Sequence, residues 1–89
     1  MQIRYAIPPS EVPGATPDAL RERFLLQDLF EPGRVTLTYS LEDRMVVGGA
    51  VPTKDPLELP NPEQLAADFF AQRREIGVLN VGGEGRISV

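Results

Sequence analysis

The sequence predicts a mainly β chain with one or two short helices, organised as part of a sandwich or barrel. Apolar and polar residues alternate between Val35 and Leu41, which is the pattern of a strand with one packed face. Eight glycines and nine prolines among 89 residues indicate many short elements separated by turns. No alternation of strands with long helices is visible, so a doubly wound parallel sheet is not indicated. The length suits one small domain.

The first third is predicted to hold a short strand and a short helix. In MQIRYAI, bulky apolar side chains alternate at positions 3, 5 and 7, which favours a strand over residues 1–7. Thr16 followed by Pro17 is a good helix start, because threonine caps free amides and proline fits the first helical position. Leu20 and Phe24 then share one face, which predicts a helix of about two turns.

The middle third is predicted to form two strands joined by a corner at Glu42-Asp43. The first strand starts after Arg34 and alternates, with threonine and serine on its wet face. The second, Met45 to Val51, is a continuous apolar run and therefore predicts a more buried strand. Its adjacent glycines, Gly48 and Gly49, predict a bulge or a close approach of another backbone.

The last third is predicted to contain a helical turn after Pro62 and then a hairpin. Ile76 to Val81 is predicted as a strand, and Arg86 to Val89 as the beginning of a returning one. Gly82 to Gly85 lies between them. A phosphate-binding loop would need a helix after the glycines, so a hairpin turn with positive φ is the favoured interpretation.

Composition excludes several classes of protein and of site. The net charge of −4 is dispersed and no basic stripe is present, which argues against a nucleic-acid partner. The sequence has neither a long apolar run nor a signal peptide, so no membrane partner is predicted. Cysteine is absent, which is compatible with a reducing cytosol and predicts a cytoplasmic location.

Histidine is absent too, and this restricts the available chemistry further. Without histidine and cysteine the chain lacks the usual zinc ligands, a Ser-His-Asp triad and a Cys-His pair. A carboxylate-only magnesium or calcium site would need closely spaced acids, which the sequence does not show. The sequence therefore predicts no catalytic residue, no metal ligand and no cofactor within these residues, and the substrate-binding residues stay unknown.

Three arginines are the remaining candidates for binding. Arg73 and Arg74 are adjacent and would point to opposite faces of a strand, so at most one of them could clamp a carboxylate substrate. The alternative is a solvated edge or a salt bridge at a subunit contact. Arg44 follows the predicted corner, where an inter-strand ion pair is expected. Tyr39 and Met45 are predicted to be core residues.

Three blocks of sequence taken together resemble the 5-keto-4-deoxyuronate isomerase family. They are LRERFLLQDLF, VTLTYSLEDRMVVGGAVP and FFAQRREIGVLNVGGEGRISV. The most specific pieces are Tyr39-Ser40, Asp43-Arg44, Val47-Gly48-Gly49, Arg73-Arg74-Glu75-Ile76-Gly77 and Asn80-Val81-Gly82-Gly83. They occur in order over essentially the whole chain, from Ile3 to Val89, and resemble the N-terminal part of the family's proteins.

The resemblance implies a fold, a reaction and partners. The family has two cupin (jelly-roll) β-sandwiches per chain, a zinc ion in the C-terminal one, and a hexameric assembly. Its reaction, in pectin degradation, interconverts 4-deoxy-L-threo-5-hexosulose-uronate and 3-deoxy-D-glycero-2,5-hexodiulosonate, an aldose-ketose isomerisation. The family's zinc ligands are three histidines and a glutamate of the second cupin. No ligand can be carried over to this sequence, which has no histidine.

The resemblance thus predicts an incomplete N-terminal cupin-like domain over residues 1–89. Residues 1–33 would form a strand and helix arm, and residues 34–89 strands of the sandwich. The full-length protein would be an isomerase, whereas these 89 residues alone are expected to be inactive. Two alternatives stay open: a non-catalytic cupin-like interaction or assembly module, and a small-ligand binder in which Arg44, Arg73 or Arg74 holds a uronate carboxylate. The sequence does not decide between a truncated reading frame and a natural short protein.

Overall fold

A three-stranded mixed sheet forms the centre of the structure, a computed structural model that describes residues 1–89. The strands are β1 (Gln2–Arg4), β2 (Val35–Ser40) and β3 (Met45–Ala50), in the spatial order β1-β2-β3. One α-helix, α1 (Pro17–Phe24), lies between β1 and β2 in the chain. Single 3₁₀ turns occur at Pro9–Glu11 and Glu63–Leu65.

The hairpin of β2 and β3 confirms the two strands predicted for the middle of the sequence. Its antiparallel register runs without interruption from Val35 opposite Ala50 to Ser40 opposite Met45. The connection is a four-residue turn, residues 41–44, and Arg44 at its end has a φ of 53°. Because the register is continuous, the predicted bulge at the two glycines is wrong.

The other expectation for these glycines, a close backbone approach, is confirmed. A Cβ atom on Gly49 would overlap the carbonyl oxygen of Leu29 and lie 3.0 Å from the Phe30 ring. On the opposite face, a Cβ atom on Gly48 would lie 2.6 Å from the Leu37 side chain. The segment that follows α1 therefore crosses one face of the hairpin at the place where β3 has no side chain.

The first strand pairs with β2 in parallel, an arrangement that the sequence pattern does not predict. Gln2, Ile3 and Arg4 lie opposite Thr38, Tyr39 and Ser40. Parallel neighbours need a crossover connection, and α1 lies within it. β1, α1 and β2 form one strand–helix–strand unit. The sequence pattern does not reveal this unit, because β1 is very short and prolines interrupt the connection. The strand spans three residues, fewer than the seven predicted.

The helix confirms its predicted start and length. The Thr16 hydroxyl accepts a hydrogen bond from the Ala19 amide at 3.2 Å, Pro17 occupies the first turn, and the helix ends after eight residues at Phe24. Two guanidinium groups hold it to the chain around β1. Arg4 Nη1 donates to the Glu22 carbonyl at 2.5 Å, and Arg23 Nη1 donates to the Tyr5 carbonyl at 2.9 Å.

The core is small and differs from the predicted one. Only Thr38, Gly49 and Leu65 are buried. Thr38 belongs to the face predicted to be wet, and the segment at Leu29 covers Gly49 on the same face of the hairpin. Met45, predicted as core, is 57% exposed because β3 is an edge strand.

The predicted hairpin in the last part of the sequence does not form. No strand follows Ala50 apart from a single bridge between Pro32 and Val51, and the helical turn predicted after Pro62 is the 3₁₀ turn. Residues 75–89 are all exposed, so the strands predicted at 76–81 and 86–89 are wrong. The mixed sheet agrees with a partial β fold, while the cupin sandwich stays a prediction.

Candidate functional site

Arg74 and Tyr39 form the most defined long-range side-chain pair among the candidate residues. The Arg74 guanidinium carbon lies 5.1 Å from the centroid of the Tyr39 ring, a cation–π distance. Tyr39 is central in β2, and its partner comes from the irregular segment 35 residues later in the chain. Both side chains are partly buried. The ring is therefore a platform for a cation, as well as part of the sheet surface.

The two adjacent arginines have different surroundings, but neither lies in a strand, so the expectation that at most one of them binds a carboxylate stays a prediction. Arg74 is partly buried, whereas Arg73 is exposed. No carboxylate forms an ion pair with either side chain. A guanidinium that stacks on a ring keeps its N–H edge available for a carboxylate. Arg74 is accordingly the better placed of the two for an anionic group, while no second cationic group is seen to converge on it.

Arg44 lies apart from any partner that the structure defines. It is exposed in the hairpin turn with a left-handed backbone conformation. The inter-strand ion pair predicted for it is not formed; the two ion pairs join Arg21 to Asp18 and Arg34 to Glu31, each between residues three apart. The reason is the turn itself, since a residue at this corner points to solvent beyond the end of the strand ladder.

A wide groove of about 950 Å³ lies between α1, the start of the chain and β2. Its charged lining residues are balanced, since Arg4, Arg21 and Arg34 stand with Glu22, Asp28 and Glu31. Arg4 already donates to a main-chain carbonyl, and Arg34 is paired with Glu31 at 3.2 Å. The groove thus lacks the excess positive charge and the enclosed apolar walls that a bound uronate would need.

The Arg4 and Arg23 contacts are the feature that sequence reasoning misses in this region. Each guanidinium crosses between the chain around β1 and α1, and Arg4 Nε is buried without a hydrogen-bond partner. No local pattern connects residues 18 positions apart that meet only after the parallel pairing of β1. These arginines position α1, and their donors are directed at main-chain carbonyls rather than at open space.

The glycine-rich stretch is organised by Asn80 rather than by a hairpin. The Gly82 amide donates to Asn80 Oδ1 at 3.0 Å, and Asn80 Nδ2 donates to the Gly83 carbonyl at 2.9 Å. This is a local asparagine turn. None of the glycines from 82 to 85 has positive φ, so the predicted hairpin conformation is wrong. No helix follows, and the amides do not form a phosphate cradle.

The residues present do not fit a zinc ion. No three acidic, histidine or cysteine side chains lie together, and the chain contains neither histidine nor cysteine. Zinc prefers nitrogen and sulfur ligands, so the zinc that the resemblance implies has no donor set here. Separately, no helix in the structure has the length and apolar character needed to span a membrane.

Comparison with known proteins gives matches over the whole chain. No protein-family model matches. Three curated relatives are 43, 44 and 45% identical over 89 residues, from Levilactobacillus brevis, Halalkalibacterium halodurans and Lacticaseibacillus paracasei respectively. Each alignment covers 100% of this chain and 32% of the relative, and each relative is named 4-deoxy-L-threo-5-hexosulose-uronate ketol-isomerase. The chain thus spans about a third of the length of the curated relatives that it matches.

Proposed function

We propose that this chain, which is homologous over all 89 residues to part of the 4-deoxy-L-threo-5-hexosulose-uronate ketol-isomerases, serves as the N-terminal portion of such an isomerase. The single observation that carries the proposal is the 40–45% identity along the whole chain. In that role the chain contributes scaffold and subunit contacts to an enzyme. That enzyme interconverts the hexosulose-uronate and 3-deoxy-D-glycero-2,5-hexodiulosonate.

The chemistry of the reaction supports a scaffold role for this chain, with the catalytic groups in the rest of the enzyme. An aldose-ketose isomerisation moves a carbonyl between neighbouring carbons, and a positioned base transfers a proton between them. Histidine is the usual base near neutral pH, and this chain has none. The described residues include no enclosed pocket in which acidic groups converge. The proton-transferring groups would therefore come from the remaining two thirds of the enzyme.

Further properties belong to the same proposal and rest on the family resemblance. They are a first cupin sandwich completed by residues beyond this chain, zinc held by a second cupin, a hexamer, and a cytoplasmic role in pectin degradation. The observed three-stranded sheet supports a partial β fold, which is compatible with the first cupin sandwich. Since the residues here do not fit zinc, no step of the reaction is assigned to them through the metal.

A chimera tests the proposal. The matching third of the Levilactobacillus brevis relative is replaced by residues 1–89, and isomerase turnover is measured. Turnover within about tenfold of the parent, or about 1.4 kcal/mol in activation free energy, is expected. The remaining two thirds of the relative alone, as a control, should be inactive. A chimera that folds and carries as much zinc as its parent, yet turns over no substrate, would contradict the proposal.

A non-catalytic assembly module is a second candidate, favoured by the open sheet edge. The outer side of β3 has no neighbouring strand in the order β1-β2-β3, and an unpaired edge offers main-chain groups to another strand. Gene sequencing past codon 89, combined with mass spectrometry of cell extracts, separates the candidates. A stop codon and an 89-residue mass would favour the module, whereas continuation into histidine-containing sequence would favour the isomerase.

A further inference from the structure

Three of the nine cationic side chains are partly buried, and they differ in what their guanidinium groups contact. They are Arg4, Arg23 and Arg74. Arg4 and Arg23 donate to main-chain carbonyls. Arg74 forms no ion pair, and its guanidinium carbon lies 5.1 Å from the centroid of the Tyr39 ring. Arg74 is therefore the partly buried cation whose N–H groups are not committed to the main chain.

The position of the Arg74 guanidinium is set by the central strand of the sheet. Arg74 lies in irregular backbone, so the contact with the ring is what holds its side chain. Tyr39 lies in β2 with Ile3 opposite it on one side and Val46 opposite it on the other. A group supported by a strand that is paired on both sides is held more precisely than a group on a loop. The ring covers one face of the guanidinium and leaves its N–H edge accessible.

The chemistry of this edge matches a carboxylate. Guanidinium groups bind carboxylates through two parallel N–H···O hydrogen bonds. A cation that is partly removed from water is stabilised by an anionic partner. The relatives are named for a uronate, and the carboxyl group of a sugar acid is ionised near neutral pH. The named substrate therefore carries the group that Arg74 is suited to bind.

We infer that Arg74, positioned by Tyr39, binds the carboxylate of the uronate substrate and gives the isomerase its preference for an acidic over a neutral sugar. The inference rests on the proposed function and adds a substrate contact to it. The carboxylate is not changed by an aldose-ketose isomerisation. Its contact with Arg74 therefore contributes equally to binding of the substrate and of the transition state, and it acts on KM rather than on kcat.

Kinetics of variants of the chimera described above test the inference. Arg74→Met should raise KM for the hexosulose-uronate at least about tenfold while kcat stays within about twofold. Arg74→Lys, which keeps the charge but not the planar fork, should lie between the parent and Arg74→Met. Arg73→Met is the matched control, because Arg73 is exposed, and its KM should stay within about twofold of the parent.

The same measurements distinguish a substrate contact from a structural ion pair. If Arg74 instead pairs with a carboxylate elsewhere in the enzyme, Arg74→Met should lower kcat, zinc content and thermal stability together and leave KM near that of the parent. That result would overturn the inference. Equal changes in KM for Arg73→Met and Arg74→Met would overturn it too.

Two substitutions at Tyr39 test the positioning role of the ring. Tyr39→Phe keeps an aromatic face under the guanidinium, whereas Tyr39→Leu removes it. KM should rise at least about threefold more in Tyr39→Leu than in Tyr39→Phe, with zinc content equal to that of the parent. The same KM in both variants would overturn the assignment of the ring as the support of Arg74.

A binding measurement separates this inference from the proposed function. Calorimetry with D-galacturonate and D-galactose compares two sugars that differ in a carboxylate. The chimera should bind the acid at least about tenfold more tightly, and Arg74→Met should abolish this preference. An active chimera whose preference does not depend on Arg74 counts against the inference alone. A chimera without turnover that shows an Arg74-dependent preference counts against the proposed function alone, and one that shows neither counts against both.

Discussion

Two apolar stretches of similar length, residues 45–51 and 76–81, differ in secondary structure and in exposure to solvent. The first forms β3 and pairs along six residues with β2. The second is also rich in β-branched and aliphatic residues, yet forms no strand and is exposed. The local pattern is comparable, so the difference lies in the availability of a partner. For β3, a partner strand lies only four residues away along the chain.

The comparison shows that strand propensity is realised only when main-chain groups find a ladder. β-propensity reflects fit to neighbouring strands more than an intrinsic backbone preference. The hairpin gains a nearby antiparallel neighbour, a parallel neighbour in β1, and a covering segment at Leu29. The 76–81 stretch has none of these within the 89 residues. Its apolar composition alone therefore does not produce a strand.

The largest effect is expected where the hairpin is most tightly covered. Gly49→Ala places a methyl group against the Leu29 carbonyl, and it should lower the free energy of unfolding by about 2 kcal/mol or more. Urea unfolding followed by circular dichroism measures the change. Gly83→Ala is the matched control, because a Cβ atom there meets nothing within 4 Å. Equal stability of the two variants would show that the close approach does not constrain the hairpin.

The attachment of α1 to β1 should be the next most sensitive feature. Arg23→Met removes the hydrogen bond to the Tyr5 carbonyl and should lower the free energy of unfolding by about 1.5 kcal/mol. Arg21→Met is the control, because that side chain forms an ion pair whose members are 64% and 95% exposed. Such pairs contribute at most about 1 kcal/mol. An equal or greater loss for Arg21→Met would contradict the assignment of Arg23 as the positioning residue.

A smaller effect is expected at the start of α1. Thr16→Ala deletes the hydroxyl that accepts from the Ala19 amide and should lower the free energy of unfolding by about 1 kcal/mol. The helical signal in the far ultraviolet, followed with temperature, gives the readout. Thr53→Ala is a suitable control, since that threonine makes no side-chain hydrogen bond and lies in an exposed connection. Unchanged helicity in the Thr16 variant would be the contradicting result.

The smallest effect is expected from removal of residues 76–89. Because residues 76–89 make no main-chain hydrogen bond to the sheet, their deletion should change the free energy of unfolding of the 89-residue chain by less than about 0.5 kcal/mol. The same urea titration measures this. A loss comparable to that of Gly49→Ala would mean that both apolar stretches stabilise one core, and the comparison between them would fail.

The elements that sequence predicts well are those decided by neighbours along the chain. The start of α1 depends on Thr16 and Pro17, and the hairpin depends on alternation around a short turn; both are correct. The parallel pairing of β1 depends on contacts more than 30 positions apart, for which one sequence offers no signal. Met45 is misassigned for a related reason, since the apolar run identifies a strand but not its place at the edge of a sheet.

In the candidate site too, features set by neighbouring residues can be predicted from the sequence, whereas features set by distant contacts cannot. Arg73 and Arg74 do differ in exposure, but the cause is not the strand alternation on which the prediction depends, since neither residue lies in a strand. That Arg74 stacks on Tyr39 does not follow, because the ring and the guanidinium meet only after the irregular segment turns back onto the sheet. The absence of histidine and cysteine can be read directly from the sequence, and the family resemblance from its three blocks.

The parallel position of β1 sets the order in which this chain assembles during synthesis. β1 leaves the ribosome first, but its partner β2 is separated from it by 30 residues, from 5 to 34. The hairpin of β2 and β3 closes a four-residue loop and so forms with a small entropic cost, whereas β1 must close the much longer loop. The N-terminal strand is therefore made first and docked last. In that interval β2 offers an open edge on which the first strand of a neighbouring nascent chain could dock in its place.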